Sequence, residues 1–168
     1  MLSPQNVSKD PSASQRRTVD LSAADKKEVG RWGECHVIAY LRQEYSQKYS
    51  GEIRPIGERG FTILLNGTEV VCVQWLNEGR DVGKGHDILI NEEGQCTYIE
   101  VKSTITSDNE WFRVSRRQWQ FARDLGDAFF IYCVHNAGTS NAAITKIQNP
   151  YERWRCDELE VYLVEIRL

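Results

Sequence analysis

Apolar and polar positions alternate with a period of two along HDILI (86–90) and CTYIEVKS (96–103), and both runs are rich in β-branched or aromatic residues. Such alternation predicts half-buried strands, and Asn91 to Gly94 between them has the composition of a turn, so the two runs form a β-hairpin. FTILL (61–65) and EVVCVQWL (69–76) give another hairpin around Asn66-Gly67, a strong short-range turn signal. AFFIYCV (128–134) is continuously apolar, the pattern of a central strand covered on both faces. WFRV (111–114), AAITKI (142–147) and LEVYLVEI (159–166) predict three more strands.

Helical spacing replaces the period of two in the remaining segments. Ser22 is a predicted N-cap with Asp25 in the first turn, and Val29, Trp32, His36 and Tyr40 form an apolar-leaning face of a helix that runs to the mid-forties and stops by Gly51. Glu34 lies on an adjacent face with Val37 and Leu41, and Gly30 and Gly33 ahead of it would let this helix approach a sheet closely. Ser115 caps a later helix whose Trp119, Ala122 and Leu125 face the sheet, and Gly126 ends it. A helical turn follows Asn149-Pro150 and runs through Trp154. The order helix, hairpin, hairpin, strand, helix, strand, strand, strand predicts an α/β fold with a mixed β-sheet sandwiched by helices. Residues 1 to 21 are polar, with four serines and two prolines, and read as a flexible tail or linker ahead of one domain spanning 22–168.

The hairpin register carries the chemistry. With Glu93-Gly94 as the central turn residues, Asp87 falls opposite Glu100, and opposed residues share a sheet face. Lys102 joins them there, while Ile88, Ile90, Ile99 and Val101 point to the other face. Two carboxylates facing each other at roughly 5 Å repel, so one is driven toward protonation unless a cation lies between them. Mg²⁺ or Mn²⁺ would resolve the conflict: a hard cation takes oxygen ligands, here Asp87, Glu100 and the Val101 carbonyl, and keeps several waters. Lys102 could then orient or activate a water, or offset charge building on a phosphate. From the residues alone, a surface hairpin with solvated Asp, Glu and Lys remains the other reading.

Composition narrows the classes without choosing among them. At 168 residues, 40% hydrophobic and 27% charged, the chain is long enough for one sizeable core. A net charge of −3 gives no global attraction to nucleic acid, so any contact must come from a local basic patch. No apolar run reaches membrane-spanning length and no signal pattern opens the chain, which predicts an intracellular protein, cytoplasmic or nuclear, without a membrane partner. The five cysteines are dispersed and odd in number, so reduced, mostly buried thiols are expected, and the three histidines are too scattered for a zinc site. The best basic patch is 111–123, with four arginines, four aromatic residues and no acid. Arg113, Arg116 and Arg117 there, with Lys84 between Gly83 and Gly85, are candidate phosphate contacts. Trp119 and Phe121 are expected to pack, and His86 to be a packed, hydrogen-bonded strand residue.

Asp87 and the Glu100-x-Lys102 pair resemble the PD-(D/E)XK, restriction-endonuclease-like nuclease superfamily, with His86 standing where a proline commonly precedes the aspartate. More narrowly, RWGE (31–34), WLNE (75–78), GHDI (85–88), YIEVKST (98–104), RQWQFA (117–122) and QNP (148–150) resemble the domain at the C-terminus of the plant protein NO VEIN, also met in prokaryotic helicase-associated and defence proteins. The resemblance implies a restriction-endonuclease-like fold and a Mg²⁺- or Mn²⁺-dependent endodeoxyribonuclease acting on DNA, as a restriction or anti-invader module. It assigns metal binding to Asp87 and Glu100 and water activation to Lys102. Glu34, on the first helix, would complete the metal site, although its spacing alone reads better as an exposed acid paired with a helix neighbour. Gln118 is implied to position substrate or water, while Ser115-x-x-Gln118 equally fits a capping box. Cutting both strands with one metal site per chain would favour a homodimer, although a nickase needs none, and the resemblance adds a helicase-type ATPase as a partner. The other class kept open is a non-catalytic nucleic-acid-binding or protein-docking domain of a larger helicase-like or chromatin-linked assembly.

Overall fold

The computed structural model describes residues 21–78, 84–107 and 112–161. The expected tail to residue 20, loop residues Gly79 and Gly83, Trp111, and residues 162–166 of the last expected strand lie outside them. The first helix, α1 (Ala23–Lys48), begins at a Ser22/Asp25 capping box. Seven strands follow: β1 (Glu52–Ile56), β2 (Gly60–Leu65), β3 (Thr68–Trp75), β4 (Ile88–Glu92), β5 (Gln95–Ser103), β6 (Phe129–His135) and β7 (Ala143–Gln148). They form one sheet in chain order, antiparallel throughout except for β5–β6. A parallel neighbour requires a long crossover, and α2 (Arg116–Leu125) lies in that connection. The short helix α3 (Pro150–Arg155) starts at Asn149.

Alternation along the strands sorts the side chains into two layers. Phe61, Val73, Ile88, Ile99, Val101 and Val134 meet Val37, Ile38 and Leu41 of α1 on one face. On the other, Phe129, Ile131 and Cys133 meet Ala122 of α2, with Phe121, Leu125 and Tyr151 around them. Each fully buried aliphatic side chain contributes about 2 kcal/mol, so a stripe of three holds α1 firmly to the sheet. The buried stripe of α1 is Gly33, Val37, Ile38 and Leu41; the expected face of Val29, Trp32, His36 and Tyr40 is its half-buried flank. Gly33 provides the close approach, because a Cβ there would lie 1.7 Å from Ser103 Oγ. Gly30 does not, having nothing within 4 Å of that position.

Several expectations need correction. Strand β1 was not foreseen: its residues are mostly exposed and include Pro55, which suits an edge strand with only one neighbour. Residues 112–114 are extended but belong to no strand, and Phe112 and Val114 instead cover the α2-side core. β6 is next to the edge strand β7, not at the centre of the sheet, although its residues are buried from both faces. Residues 159–161 likewise belong to no strand. The cysteines are free, but only Cys72 and Cys133 are buried, Cys35 is intermediate, and Cys96 and Cys156 are exposed. Among the described residues no helix is long and apolar enough to cross a membrane.

Candidate active site

The turn of the β4–β5 hairpin sets the site's register. Glu93 and Gly94 both adopt positive φ, 50° and 87°, the backbone of a two-residue hairpin turn, and Asn91 Oδ1 accepts the Gly94 N–H at 2.9 Å. Ile88 therefore pairs with Ile99 and Glu92 with Gln95, and the same register sets Asp87 against Glu100. At Asp87 the two strands part. Its N–H donates to Ile99 O at 2.8 Å, but the Val101 N–H donates to the Asp87 carboxylate, at 2.7 Å from Oδ2. The side chain thus satisfies a strand edge that β4 no longer covers. A strand residue presents its N–H and C=O to the same neighbour, so the Val101 carbonyl lies on the edge that Asp87 occupies.

Glu100 and Lys102 alternate with Ile99 and Val101 on β5 and so lie on the α2 face. Lys102 Nζ is 2.8 Å from Glu100 Oε1, and both side chains are largely withdrawn from solvent. Gln118, in the first turn of α2, ties them together. Its Nε2 donates to Glu100 Oε1 at 2.5 Å, and its Oε1 accepts from Lys102 Nζ at 3.3 Å and from the Ser115 N–H at 2.7 Å. The capping box and the contact with the site are therefore both present, made by one amide group.

Glu34 arrives from the opposite face at the same sheet end. The tight seat of Gly33 on Ser103 sets the approach, and the Trp75 indole Nε1 donates to Glu34 Oε2 at 2.5 Å. Glu34 is not the exposed acid that its spacing suggested. Asn77, just beyond β3, bridges the acids: its Nδ2 donates to Asp87 Oδ1 at 2.6 Å and it hydrogen-bonds Glu34. Sequence reasoning missed Asn77 and the anchoring role of Trp75; both sit in the WLNE stretch, and that stretch was the available signal.

Burial and like charge act together here. Desolvation and then Asp87 push the Glu34 carboxyl up to about 7, against its hydrogen bonds to Trp75 and Asn77. Burial raises Glu100 as well, followed by the Asp87 charge, with Lys102 pulling it back down. The repulsion expected from the opposed register is present. Among the described residues no three His, Cys, Asp or Glu side chains converge as a ready-made metal cluster. The donors nonetheless fit a hard divalent cation: two acidic side chains and a backbone carbonyl at one strand edge, with waters completing the shell.

The other candidates surround this centre without forming part of it. Arg113, Arg116 and Arg117 are exposed on the approach to α2 and its first turn, and none is in an ion pair among the described residues. Lys84 is also exposed. His86 is buried just before β4, edge-on to Tyr98 with ring centroids 5.0 Å apart and tilted against Phe121 at 5.6 Å. Its Nδ1 has no hydrogen-bond partner, so it is packed as expected, with one nitrogen unsatisfied. Trp119 packs on Tyr151 and Trp154, each ring centroid 5.8 Å away.

The family profile described as "Protein NO VEIN, C-terminal" matches residues 35–147. That range contains Asn77, Asp87, Glu100, Lys102 and Gln118, and begins one residue after Glu34. Two relatives from Arabidopsis thaliana are similar to the chain. Protein NO VEIN is 32% identical over 129 residues, which cover 76% of this chain and 4% of that protein. Protein NO VEIN-LIKE is 30% identical over 136 residues, covering 80% of this chain and 17% of the relative. The chain therefore corresponds to a small part of each. No solved structure matches it.

Proposed function

The chain belongs to the family of the C-terminal domain of protein NO VEIN, and from that premise we propose that it is a divalent-metal-dependent DNA nuclease with a restriction-endonuclease-like fold. The observation that carries this reading is the buried juxtaposition of Asp87, Glu100 and Lys102 where β4 and β5 part, with Glu34 drawn in through Asn77. A purely structural hairpin has no physical reason to keep opposed acids out of water, because their repulsion and desolvation both oppose the ionised form.

Asp87, Glu100 and the Val101 carbonyl would hold Mg²⁺ or Mn²⁺, with Glu34 at its margin. When bound, the ion supplies charge neutralisation at the phosphate and an acidified water. Lys102, held by Glu100 and Gln118, is positioned to orient the attacking water and to offset the negative charge that grows on the phosphate. Asn77 keeps Asp87 from turning away from the strand edge. Arg113, Arg116, Arg117 and Lys84 supply the local positive charge that the net charge of −3 lacks. An intracellular restriction or anti-invader role, working alone, as a homodimer or beside a helicase-type ATPase, is the biological setting proposed for this chemistry.

A second reading is a non-catalytic nucleic-acid-binding or protein-docking module. It draws support from Asp87, whose two oxygens already accept from Asn77 and Val101, and from the small fraction of each relative that the chain represents. Incubation with circular and linear DNA, with Mg²⁺, with Mn²⁺ and with neither, separates the two. Nicking or linearisation that requires metal and drops at least a hundredfold in Lys102→Ala is expected of the nuclease. Metal-independent cleavage, or an unchanged rate in Lys102→Ala, would remove the proposed mechanism.

A further inference from the structure

An open groove of about 370 Å³ lies between α1 and the β1–β2 turn, on the opposite side of the sheet from α2. Its walls include Cys35, Arg42 and Gln43 of the helix and Glu58 and Arg59 of the turn. Arg59 is exposed and has no ion pair among the described residues. Its carbonyl accepts from Arg42 Nη2 at 3.3 Å, while the Arg42 guanidinium lies over the Phe61 ring, 5.1 Å from its centroid. Glu58, the acidic wall residue, is paired with Arg31 at 3.5 Å. One held guanidinium, Arg42, one exposed guanidinium, Arg59, and a neutral amide therefore remain to greet an incoming ligand.

We propose that this groove binds a phosphodiester backbone of nucleic acid, with Arg59 and Arg42 as its phosphate contacts. The proposal rests on the nuclease reading and adds to it a contact surface on the α1 side. Guanidinium groups bind phosphate through charge-assisted, often paired hydrogen bonds. Arg42 is half-buried and held by Phe61 and the turn, so less side-chain entropy is lost when it binds. Position decides between a nucleic acid and an acidic peptide. Cys35 lines the groove and follows Glu34 directly in α1. Arg59 and Arg31 are also close enough to the Cys35 thiol to oppose the upward pull of burial on its pKa. A strand that crosses the carboxylate centre can thus meet arginines on both sides, Arg116 and Arg117 on one and Arg59 and Arg42 on the other.

The test is a titration of a short fluorescein-labelled DNA duplex, followed by anisotropy at several salt concentrations in Ca²⁺, which suppresses cleavage. The wild type is compared with Arg59→Ala, Arg59→Glu, Glu58→Gln and the Arg116→Ala/Arg117→Ala pair, with melting curves as a check on folding. Arg59→Ala should weaken binding about fivefold at physiological salt and reduce the log–log salt slope by about one. Arg59→Glu should weaken it further, and Glu58→Gln should strengthen it. No salt-dependent binding by the wild type overturns the nuclease reading together with this proposal. Wild-type binding that is weakened by the α2 pair but indifferent to both Arg59 variants overturns the groove alone. Capture of a polyglutamate peptide that requires Arg59, with DNA binding unaffected by it, makes the groove a protein-docking surface and also overturns the proposal.

Discussion

Glu34 shows how a single residue can record the site's electrostatics. Its carboxyl, raised by burial and by Asp87 from the ordinary 4.5 to about 7, binds its proton more tightly in the folded chain than in the unfolded one. The folded state is therefore favoured most below about pH 4.5 and loses that contribution as pH rises to about 7. Glu34→Gln keeps an acceptor for Trp75 but cannot ionise. Relative to wild type it should gain about 1–2 kcal/mol across this window, after discounting for the solvent that reaches the site, and stay level above it. Urea denaturation at a series of pH values measures the difference, and a difference that does not grow would mean that neither burial nor Asp87 raises the Glu34 carboxyl. Asn77→Ala should lower metal-dependent cleavage by about 10–100-fold while the fold persists by circular dichroism. An unchanged rate would reduce Asn77 to a loop residue. Asp87, Glu100 and Lys102 were legible from the sequence because a two-residue turn fixes register and register fixes the face. Asn77 was not, since nothing local to it says where its amide will point; that depends on the course of α1 beside β3.

Among the elements, α1 was legible in extent but not in orientation. Its capping box is a short-range pattern, whereas the choice between two adjacent apolar stripes depends on which one can approach the sheet. Gly33 decides it. In Gly33→Ala the new methyl would lie 1.7 Å from Ser103 Oγ and 2.8 Å from Ser103 Cβ. Rotating the hydroxyl relieves the first contact and not the second. The expected cost is about 1–3 kcal/mol, with partial recovery when Ser103→Ala is added and fuller recovery with Ser103→Gly. Thermal melting of the single and double variants checks the order, and a wild-type melting temperature in Gly33→Ala would show that the helix is not tightly seated. The segment around Phe112 and Val114 misled for a related reason. Its residue types suit a strand, but β5 and β6 already pair with each other, so the chain crosses the face and contributes side chains to the core.

For the whole molecule, the mixed sheet and its two helical layers followed from the order of periodic segments, while the edge position of β1 did not. An edge strand with one neighbour needs little apolar surface, so its sequence carries a weak signal. A cation held by the central acids would tie stability to its concentration. If a divalent ion binds between Asp87 and Glu100, saturation at a hundredfold excess over Kd should add about 2.7 kcal/mol and raise Tm by roughly 5–10 °C. Asp87→Asn should lose that rise. Equal shifts with Mg²⁺ in wild type and Asp87→Asn would place the ion elsewhere. Gln118 carries a last consequence. The same amide closes the capping box of α2 and holds Glu100 and Lys102, so fraying of the first helical turn also releases this pair from α2. The lifetime of that link is then bounded by the opening rate of a single exposed turn, which any strand lying along that turn would slow by resting on it.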